Sequence, residues 1–239
     1  DLARLDAEEL PLQLQALDVV QLARDAVTAL RPLAERRGIV LEQRGRREAL
    51  SIVADPQLLH RALGNLLGNA IKYCGAGSSV AVSVEQGAGG VALRVADDGP
   101  GIPADEQERI FERFHRVTDA AGSPIAGSGI GLALVKEIAR LHGGEVALDS
   151  EVGRGSAFEL RLPDSCLAGD AEPAPGWLGP PNVDPAQLLG EEPVAEPAPA
   201  RAPAPGDSAR VLLVEDNPEM RHFLTRLIGG AYHVLRASD

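Results

Sequence analysis

The sequence predicts an α/β protein whose main domain is a two-layer sandwich, with helices packed on one face of a sheet. Three amphipathic helical segments alternate with short strands, and three helices are too few to cover both faces of a sheet. The chain of 239 residues is long enough to bury a proper core. Its 44% hydrophobic and 24% charged content is typical of globular proteins, which excludes wholesale disorder.

Composition also excludes several classes of function. The net charge is −12 and no basic run is present, which disfavours nucleic acid as a direct partner. Cys74 and Cys166, the two cysteines, lie outside any CxxC or Cys/His cluster, which argues against a disulfide framework or structural zinc and fits a reducing compartment. No apolar run reaches the roughly 18–20 residues of a membrane span, and no signal peptide is visible.

The chain begins at Asp1 rather than Met, so we expect it to be part of a longer protein. We expect this portion to be cytoplasmic. A membrane anchor elsewhere in the parent protein is compatible with this expectation.

Helical spacing of apolar side chains predicts a first helix over residues 18–37, with Gly38 at its end. Short strands are predicted at 39–42 and 51–54. Asp55 then supplies an N-cap, and Pro56 a first-turn proline, for a second helix that ends at about Tyr73.

Alternating apolar residues predict paired strands around residues 80–84 and 91–95. The glycine-rich stretch 99–131 is interrupted by a short helix predicted over 105–114. A third long helix over 130–141 and two strands over 145–148 and 157–162 complete the predicted domain.

A linker is predicted over residues 164–208. This stretch carries eight acidic residues and one basic residue, and 11 of the 18 prolines lie between Pro163 and Pro205. Proline at this density opposes helices and strand ladders, and the acidic side chains repel one another.

The last segment, residues 209–239, has the pattern of a truncated βαβ start of a doubly wound domain. An apolar strand over 211–214 precedes Glu215 and Asp216, a helix to about residue 228 and a strand over 232–235.

One face of the second helix carries a polar stripe of Arg61, Asn65, Asn69 and Lys72 opposite an apolar face. Asparagine is a poor helix former, so two of them four residues apart are an unusual choice for solubility alone. Amide oxygens beside an ammonium group suit a hydrated divalent ion that bridges to phosphate oxygens. A solvated helix face is the alternative explanation.

A carboxylate and two glycines follow the strand at 91–95. Asp97 can accept a hydrogen bond from an exocyclic amine, and Gly99 and Gly101 let a flat ring approach the backbone. A simple tight turn explains the same residues equally well.

Glycines also alternate before the third helix, at Gly127, Gly129 and Gly131. Their N–H groups can face one anion at a helix N-terminus. Surface loops often show this pattern. It is neither a Walker A loop nor a Rossmann fingerprint, because no Lys-Ser/Thr follows it and no strand immediately precedes it.

The order of these motifs is more specific than any one of them. Residues 63–73, 97–102, 110–116 and 127–135 read LGNLLGNAIKY, DDGPGI, IFERFHR and GSGIGLALV. In this order and spacing they closely resemble the four sequence boxes of the ATP-binding catalytic domain of sensor histidine kinases, a branch of the GHKL superfamily. The resemblance covers roughly residues 18–163 and implies a Bergerat-type ATP-binding fold.

The resemblance implies a role for each matching position. Asn69 would hold the Mg²⁺ that accompanies ATP, with Asn65 and Lys72 assisting at the phosphates, and Asp97 would receive the adenine amine. The other positions implied to contact the nucleotide are Tyr73, Gly99, Gly101, Ile102, Gly127, Gly129, Gly131 and Leu132.

Further roles are implied around a lid over residues 115–128. Phe111 and Phe114 would anchor this lid, although ordinary core aromatics are an equal explanation for both. Arg116 would reach the γ-phosphate, and Ser156 would join the adenine network through water.

Asn65 also indicates the type of reaction. Gyrase-type and related ATPases of the same fold carry a glutamate one turn before the metal-binding asparagine, where it activates water for hydrolysis. Asn65 cannot act as a general base, so this site favours transfer to an intrinsically nucleophilic acceptor such as imidazole.

None of the five histidines lies in the His-Glu/Asp-x-x-x-Pro setting of the family's phosphoacceptor. We therefore expect the acceptor histidine upstream of Asp1, on helices that also form a homodimer. Residues 1–17 are expected to be the end of that helical region.

Residues 209–239 resemble the start of a response-regulator receiver domain, whose Mg²⁺ site would include Glu215 and Asp216; an N-cap for the next helix explains part of the same signal. The predicted function is that of a bacterial hybrid sensor histidine kinase. It would pass the γ-phosphate of ATP to the upstream histidine and, by phosphorelay, to an aspartate of a receiver domain or cognate response regulator. An anti-sigma-factor-type protein serine kinase and a non-catalytic nucleotide-binding scaffold are the alternatives.

Overall fold

The computed structural model describes residues 12–87, 89–115, 129–167, 210–214 and 233–237. The chain divides into two units, Asp1–Glu192 and Pro193–Asp239. None of the helices in the described ranges has the length and apolarity that a bilayer span requires.

The described residues of the first unit form three α-helices and seven strands. The helices are α1 (Val19–Arg36), α2 (Pro56–Tyr73) and α3 (Gly131–Leu141). The strands are β1 (Gln15–Asp18), β2 (Val40–Gly45), β3 (Ser51–Ala54), β4 (Ser79–Gly87), β5 (Gly90–Asp97), β6 (Glu145–Glu151) and β7 (Gly155–Leu162).

The N-cap residues explain where the first two helices begin. The Asp18 carboxylate accepts from the backbone N–H of Val20, and the Asp55 carboxylate accepts from those of Gln57 and Leu58. Each aspartate satisfies N–H groups that have no partner within the helix. The predicted helices 18–37, 56–73 and 130–141 therefore agree with the structure to within one residue at each end.

The main sheet has the strand order β2-β4-β5-β7-β6, with β2 parallel to β4 and the other neighbours antiparallel. Strands β1 and β3 form a separate antiparallel pair. Helix α1 packs on β2 and β4, α2 on β4 and β5, and α3 on β6 and β7.

One face of the sheet is apolar because side chains alternate along each strand. Two apolar rows cross it: Val82, Val95, Phe158 and Leu148 form one, and Val84, Leu93, Leu160 and Val146 form the other. The buried members of these rows belong to a single core cluster that extends from Leu17 to Cys166, and Val146 and Leu148 pack against it. The predicted two-layer α/β sandwich is therefore confirmed, and its sheet is mixed, with both parallel and antiparallel neighbours.

Two local predictions differ from the structure. The helix predicted over 105–114 is only a 3₁₀ turn at Arg109–Phe111, since the backbone is already extended at Glu112 and a helix this short has little stability of its own. Strand β1 was not predicted. It forms because it pairs with β3 more than thirty residues later. Residues 15–17, which were expected to end a helical region, lie in this strand, so the expectation is wrong for them. Residues 1–11, which include the segment that resembles the end of a dimerisation helix, lie outside the described residues.

His142 connects the end of α3 to the start of α2. This buried side chain accepts at Nε2 from the backbone N–H of Asp55 (3.0 Å) and donates from Nδ1 to the carbonyl of Ile138 (2.8 Å). Because the Asp55 N–H requires a lone pair on Nε2, the ring proton lies on Nδ1. The two long helices of the candidate site thus share one hydrogen-bonded joint.

In the second unit, the described residues are two strands, β8 (Arg210–Val214) and β9 (His233–Ala237). They pair in parallel, with Leu212 beside Leu235. The predicted helix between these strands, and with it Glu215 and Asp216, lies outside the described residues.

Candidate active site

Asp97 lies at the end of β5, on the face of the sheet that packs against the helices. Every second residue of β5 points to that face, and Asp97 follows Leu93 and Val95 in this series. Its neighbours in register are Val80 on β4 and Ser156 on β7, and Ser156 in turn pairs with Ser150 on β6. The apolar face of the sheet therefore becomes polar at this one end.

Two backbone donors and a neighbouring thiol surround the Asp97 carboxylate. Oδ1 accepts from the backbone N–H of Gly99 (2.9 Å) and of Ser156 (3.3 Å), and the Cys74 thiol lies beside it over Gly99. Burial raises the pKa of Asp97, while the hydrogen bonds from Gly99, Ser156 and Cys74 oppose that shift. Asp97 is thus a partly desolvated acceptor in a polar corner.

The adjacent Asp98 has a different environment. It is exposed and accepts from both the backbone N–H and the hydroxyl of Ser79, each at 2.8 Å. The backbone hydrogen bond from Ser79 holds the pKa of Asp98 below its usual range. Of the two aspartates, only Asp97 is oriented towards the candidate site.

The turn after β5 approaches its neighbours too closely for other residue types. A Cβ on Gly99 would lie 2.8 Å from Asp97 Oδ1 and 2.8 Å from Cys74 Sγ. Gly101 has a φ of +71°, and a Cβ there would lie 2.1 Å from the carbonyl oxygen of Glu151. Both glycines are therefore needed to bring this turn against β6 and the end of α2.

A hydroxyl network holds the next residue of the turn. The backbone N–H of Ile102 donates to Ser150 Oγ (2.8 Å), which lies 3.0 Å from Ser156 Oγ. The Gln107 amide donates to the carbonyls of Ile102 and Ser150. The turn is thus tied to the same strand end that supports Asp97.

Helix α2 presents the polar stripe next to the beginning of α3. Asn65 and Asn69 are both half-buried, and the Asn65 amide donates to the carbonyl of Arg61 (2.9 Å). A Cβ on Gly131, the first residue of α3, would lie 2.8 Å from Asn65 Oδ1. The glycine start of α3 and the asparagine face of α2 are therefore in direct contact.

Lys72 and Tyr73 form a pair at the end of α2. Lys72 Nζ lies 3.3 Å from the Tyr73 hydroxyl and 4.6 Å from the centre of its ring. Tyr73 is 37% exposed, so its ring borders solvent near the carboxyl end of the helix.

A backbone hydrogen bond joins the residues on either side of segment 116–128. Phe114 donates its N–H to the carbonyl of Gly129 (2.9 Å), and both residues have positive φ, +65° and +66°. A Cβ on Gly129 would lie 2.8 Å from Phe114 Cα. Gly127 and Arg116 fall within the segment and lie outside the described residues.

Other predicted positions pack into the domain. Phe111 meets Phe158 edge to face, with ring centres 6.2 Å apart. Ile102 and Leu132 are partly buried against the core.

The donors of this site suit a hard cation carried by a phosphate ligand. Within the described ranges there is no group of three or more His, Cys, Asp or Glu side chains that could hold a metal by itself. The oxygen donors of the α2 stripe are the amides of Asn65 and Asn69. Magnesium commonly binds through one or two protein oxygens together with substrate phosphates, so the stripe fits Mg²⁺ bound with a nucleotide.

Sequence reasoning missed the contribution of Cys74, Ser150 and Gln107. Cys74 comes one residue after the predicted end of the second helix at Tyr73. Ser150 lies on a strand that was predicted to end two residues earlier, at residue 148. The alternation that places Asp97 on the same face as Val95 was the one available signal for this corner.

Comparison with known proteins gives a consistent result. Residues 54–165 match the family described as histidine kinase-, DNA gyrase B- and HSP90-like ATPases. Sensor histidine kinase TmoS of Ectopseudomonas mendocina is 32% identical over 100% of this chain and 25% of its own length. Sensor protein IrlS of Burkholderia pseudomallei is 38% identical over 68% of this chain and 34% of its own length. The chain thus spans about a quarter to a third of these relatives.

Solved structures show the same similarity. Mycobacterial sensor histidine kinase MprB is 32% identical with a TM-score of 0.52, and the match covers 63% of this chain and 97% of that one. Full-length ShkA in complex with AMPPNP is 28% identical with a TM-score of 0.60, over 99% of this chain and 43% of that one. The chain therefore belongs to the histidine kinase-, DNA gyrase B- and HSP90-like ATPases and contains the ATP-binding catalytic domain of a sensor histidine kinase.

Proposed function

We propose that the full-length protein transfers the γ-phosphoryl group of ATP to a histidine upstream of this chain. An imidazole nitrogen attacks the γ-phosphorus, the bond to the β–γ bridging oxygen breaks, and ADP leaves. The observation that carries this proposal is the arrangement along α2. Its end at Cys74 lies beside the half-buried acceptor Asp97, while its middle at Asn65 meets the glycine start of α3.

This arrangement supports an assignment of nucleotide contacts. Asp97 accepts the exocyclic amine of adenine, and Gly99, Gly101 and Ile102 shape the space for the ring. The N–H groups of Gly127, Gly129 and Gly131 donate to phosphate oxygens at the beginning of α3. Tyr73 packs near the base, and Leu132 supports the glycine turn from the core.

Asn65, Asn69 and Lys72 serve the phosphates in this proposal. The Asn69 amide oxygen is the protein ligand to Mg²⁺, with Asn65 and the Lys72 ammonium beside it. When bound with ATP, Mg²⁺ supplies charge neutralisation at the phosphates. The half-buried positions of both asparagines and the contact of Asn65 with Gly131 support this assignment.

The chemistry of Asn65 favours transfer over hydrolysis. Its amide donates to a backbone carbonyl and carries no group that could remove a proton from water. A histidine acceptor needs no such base, because neutral imidazole is itself nucleophilic at physiological pH.

We further propose that the parent is a hybrid kinase in which phosphate continues from histidine to aspartate. In this reading, a dimerising helical region ends before β1, the catalytic domain extends from β1 to Leu167, a linker follows to residue 208 and residues 209–239 begin a receiver domain. The parallel pairing of β8 with β9 and the match of the whole chain to TmoS support this organisation. Glu215 and Asp216 are the proposed acidic pair of the receiver's Mg²⁺ site, and a homodimer and a cognate response regulator are the proposed partners.

Calorimetry of ATP binding tests the nucleotide site. We expect the chain to bind ATP only when Mg²⁺ is present, and the Asn69→Ala variant to lose this binding while keeping its circular dichroism spectrum. Mg²⁺-dependent binding that survives in Asn69→Ala would refute the metal assignment.

Phosphotransfer distinguishes the kinase from its alternatives. The wild-type chain is mixed with labelled ATP and a separately supplied dimerisation helix that carries the acceptor histidine. Acid-labile label on that histidine is the expected result. Acid-stable label on serine would indicate the anti-sigma-factor type of kinase, and nucleotide binding without any transfer would indicate a scaffold.

A further inference from the structure

Cys74 occupies the junction between α2 and the turn after β5. It is the C-cap residue of α2, where its N–H donates to the carbonyl of Ala70 and its backbone is already extended. Its side chain is only 9% exposed. The helix therefore ends by directing a small polarisable group into the corner occupied by Asp97.

Geometry brings this thiol and the Asp97 carboxylate together over Gly99. A single point above Gly99, where a Cβ would stand, is 2.8 Å from both Cys74 Sγ and Asp97 Oδ1. The two side chains are therefore neighbours on the same side of this turn. An ionised carboxylate can only accept a hydrogen bond, so of these two groups the thiol is the one that can donate.

The state of the thiol agrees with this direction. Burial, followed by the charge of Asp97 and the hydrogen bond to it, raises the pKa of Cys74 to about 12. The thiol therefore keeps its proton at physiological pH. It acts as a fixed donor and is a poor nucleophile in this environment.

We propose that Cys74 is a positioning residue for base recognition, whose thiol holds the Asp97 carboxylate in the orientation that accepts the exocyclic amine of adenine. This inference rests on the proposed assignment of Asp97 to adenine. The backbone donors Gly99 and Ser156 both engage Oδ1, so they fix one oxygen. The thiol, which approaches from α2, adds a third donor from a different element and restricts rotation of the carboxylate.

Base selectivity distinguishes positioning from a merely structural role. Inosine triphosphate has the same ribose and phosphates as ATP but presents a carbonyl oxygen where adenine has its amine. A defect in Asp97 orientation weakens ATP binding without affecting the inosine nucleotide, whereas a general defect in folding weakens both.

The experiment measures dissociation constants of ATP and inosine triphosphate for three variants of the chain. Cys74→Ala removes the donor, and we expect ATP to bind about three- to tenfold more weakly, with inosine triphosphate unchanged. Cys74→Ser keeps a donor and should restore the wild-type preference. Cys166→Ala is the matched control, since this second buried cysteine lies against the carbonyl of His142 rather than Asp97.

The outcomes separate the two proposals. If Cys74→Ala keeps the wild-type ratio of the two constants, or loses both ligands equally, the role of Cys74 is refuted. If wild-type protein binds ATP and Asp97→Asn binds it equally well, the adenine assignment fails, and the Cys74 role fails with it.

Infrared spectroscopy gives a second readout that does not depend on Cys74→Ala folding. In Cys166→Ala protein, the S–H stretching band arises from Cys74 alone. We expect this band to shift to higher frequency when Asp97→Asn is added, because a neutral amide is a weaker acceptor than a carboxylate. An unchanged band would show that the thiol does not donate to Asp97.

Discussion

Two adjacent aspartates at the end of β5 have opposite roles because side chains alternate along a strand. Asp97 faces the helices, where burial raises its pKa, and Asp98 faces solvent, where Ser79 lowers its pKa. In the sequence alone, the two aspartates are simply two adjacent acidic residues before a glycine, and nothing in that pair distinguishes them. The period-two pattern of Leu93 and Val95 identifies the inward residue once the strand is recognised.

Exchanging each aspartate for asparagine should separate binding from stability. We expect Asp97→Asn to weaken ATP binding about 10- to 100-fold, because a charge-assisted hydrogen bond is lost. Asp98→Asn is the matched control and should bind ATP as wild type does. Calorimetry checks both, and equal losses in the two variants would contradict the assignment of Asp97.

Asp97 and Asp98 should also contribute to the pH dependence of folding stability with opposite signs. The folded-state pKa of Asp97 is raised, so its favourable contribution is present at acidic pH and is lost as pH rises through that pKa. At neutral pH we therefore expect the Tm of Asp97→Asn to be at least that of wild type. The folded-state pKa of Asp98 is lowered, so its contribution is present at neutral pH and is lost as pH falls through that pKa. Scanning calorimetry at several pH values tests both, and a lower Tm of Asp97→Asn at pH 7 would contradict the first.

At the scale of elements, the first turn of α3 depends on its contacts with α2. Gly131 leaves room for Asn65 Oδ1, and no positive φ requires a glycine there. The close approach, rather than backbone conformation, explains this residue.

Gly131→Ala should therefore reduce binding while the fold stays intact. The new Cβ would displace the Asn65 amide, and we expect ATP binding to weaken by about tenfold or more. Helix propensity favours alanine, so the urea midpoint should not fall. Gly153→Ala provides a contrast, because its φ of +80° makes alanine strained while nothing lies within 4 Å of its Cβ position; it should lower the urea midpoint and leave ATP binding unchanged.

The joint between α2 and α3 gives a prediction about stability. His142→Ala removes the acceptor of the buried Asp55 N–H, and we expect a loss of about 1–3 kcal/mol in the free energy of unfolding. Urea denaturation measures this loss. Arg140→Ala, at an exposed position in the last turn of the same helix, should change the free energy by less than about 1 kcal/mol. Equal effects of the two variants would show that the joint contributes little.

At the scale of the molecule, those parts of the fold that depend on local sequence patterns could be predicted. Helices α2 and α3 follow from apolar spacing and from signals such as Asp55 and Pro56. Strand β1, the Cys74 contact and the hydroxyl network depend on residues that the fold brings together from about 20 to 50 positions apart. No local pattern in the sequence could indicate them.

The extent of the cooperative domain is a prediction at this scale. Packing continues on both sides of residues 18–163. Leu17 on β1 and Cys166 are buried, Gln13 donates its N–H to Asp55, and Leu167 forms an isolated bridge with Ile52. We expect a fragment of residues 12–167 to unfold in one transition at a clearly higher urea midpoint than a fragment of residues 18–163. Equal midpoints would show that these flanking contacts add no stability.

The order in which strands enter the sheet has a consequence for synthesis on the ribosome. Strand β5 lies between β4 and β7, and β7 is made about sixty residues after β5. Until Ser156 emerges, Asp97 lacks one of its backbone donors and β5 exposes an unpaired edge, the kind of edge that promotes association between chains. Nascent chains that stall between β5 and β7 should therefore be unable to recognise a base and should be especially prone to aggregate.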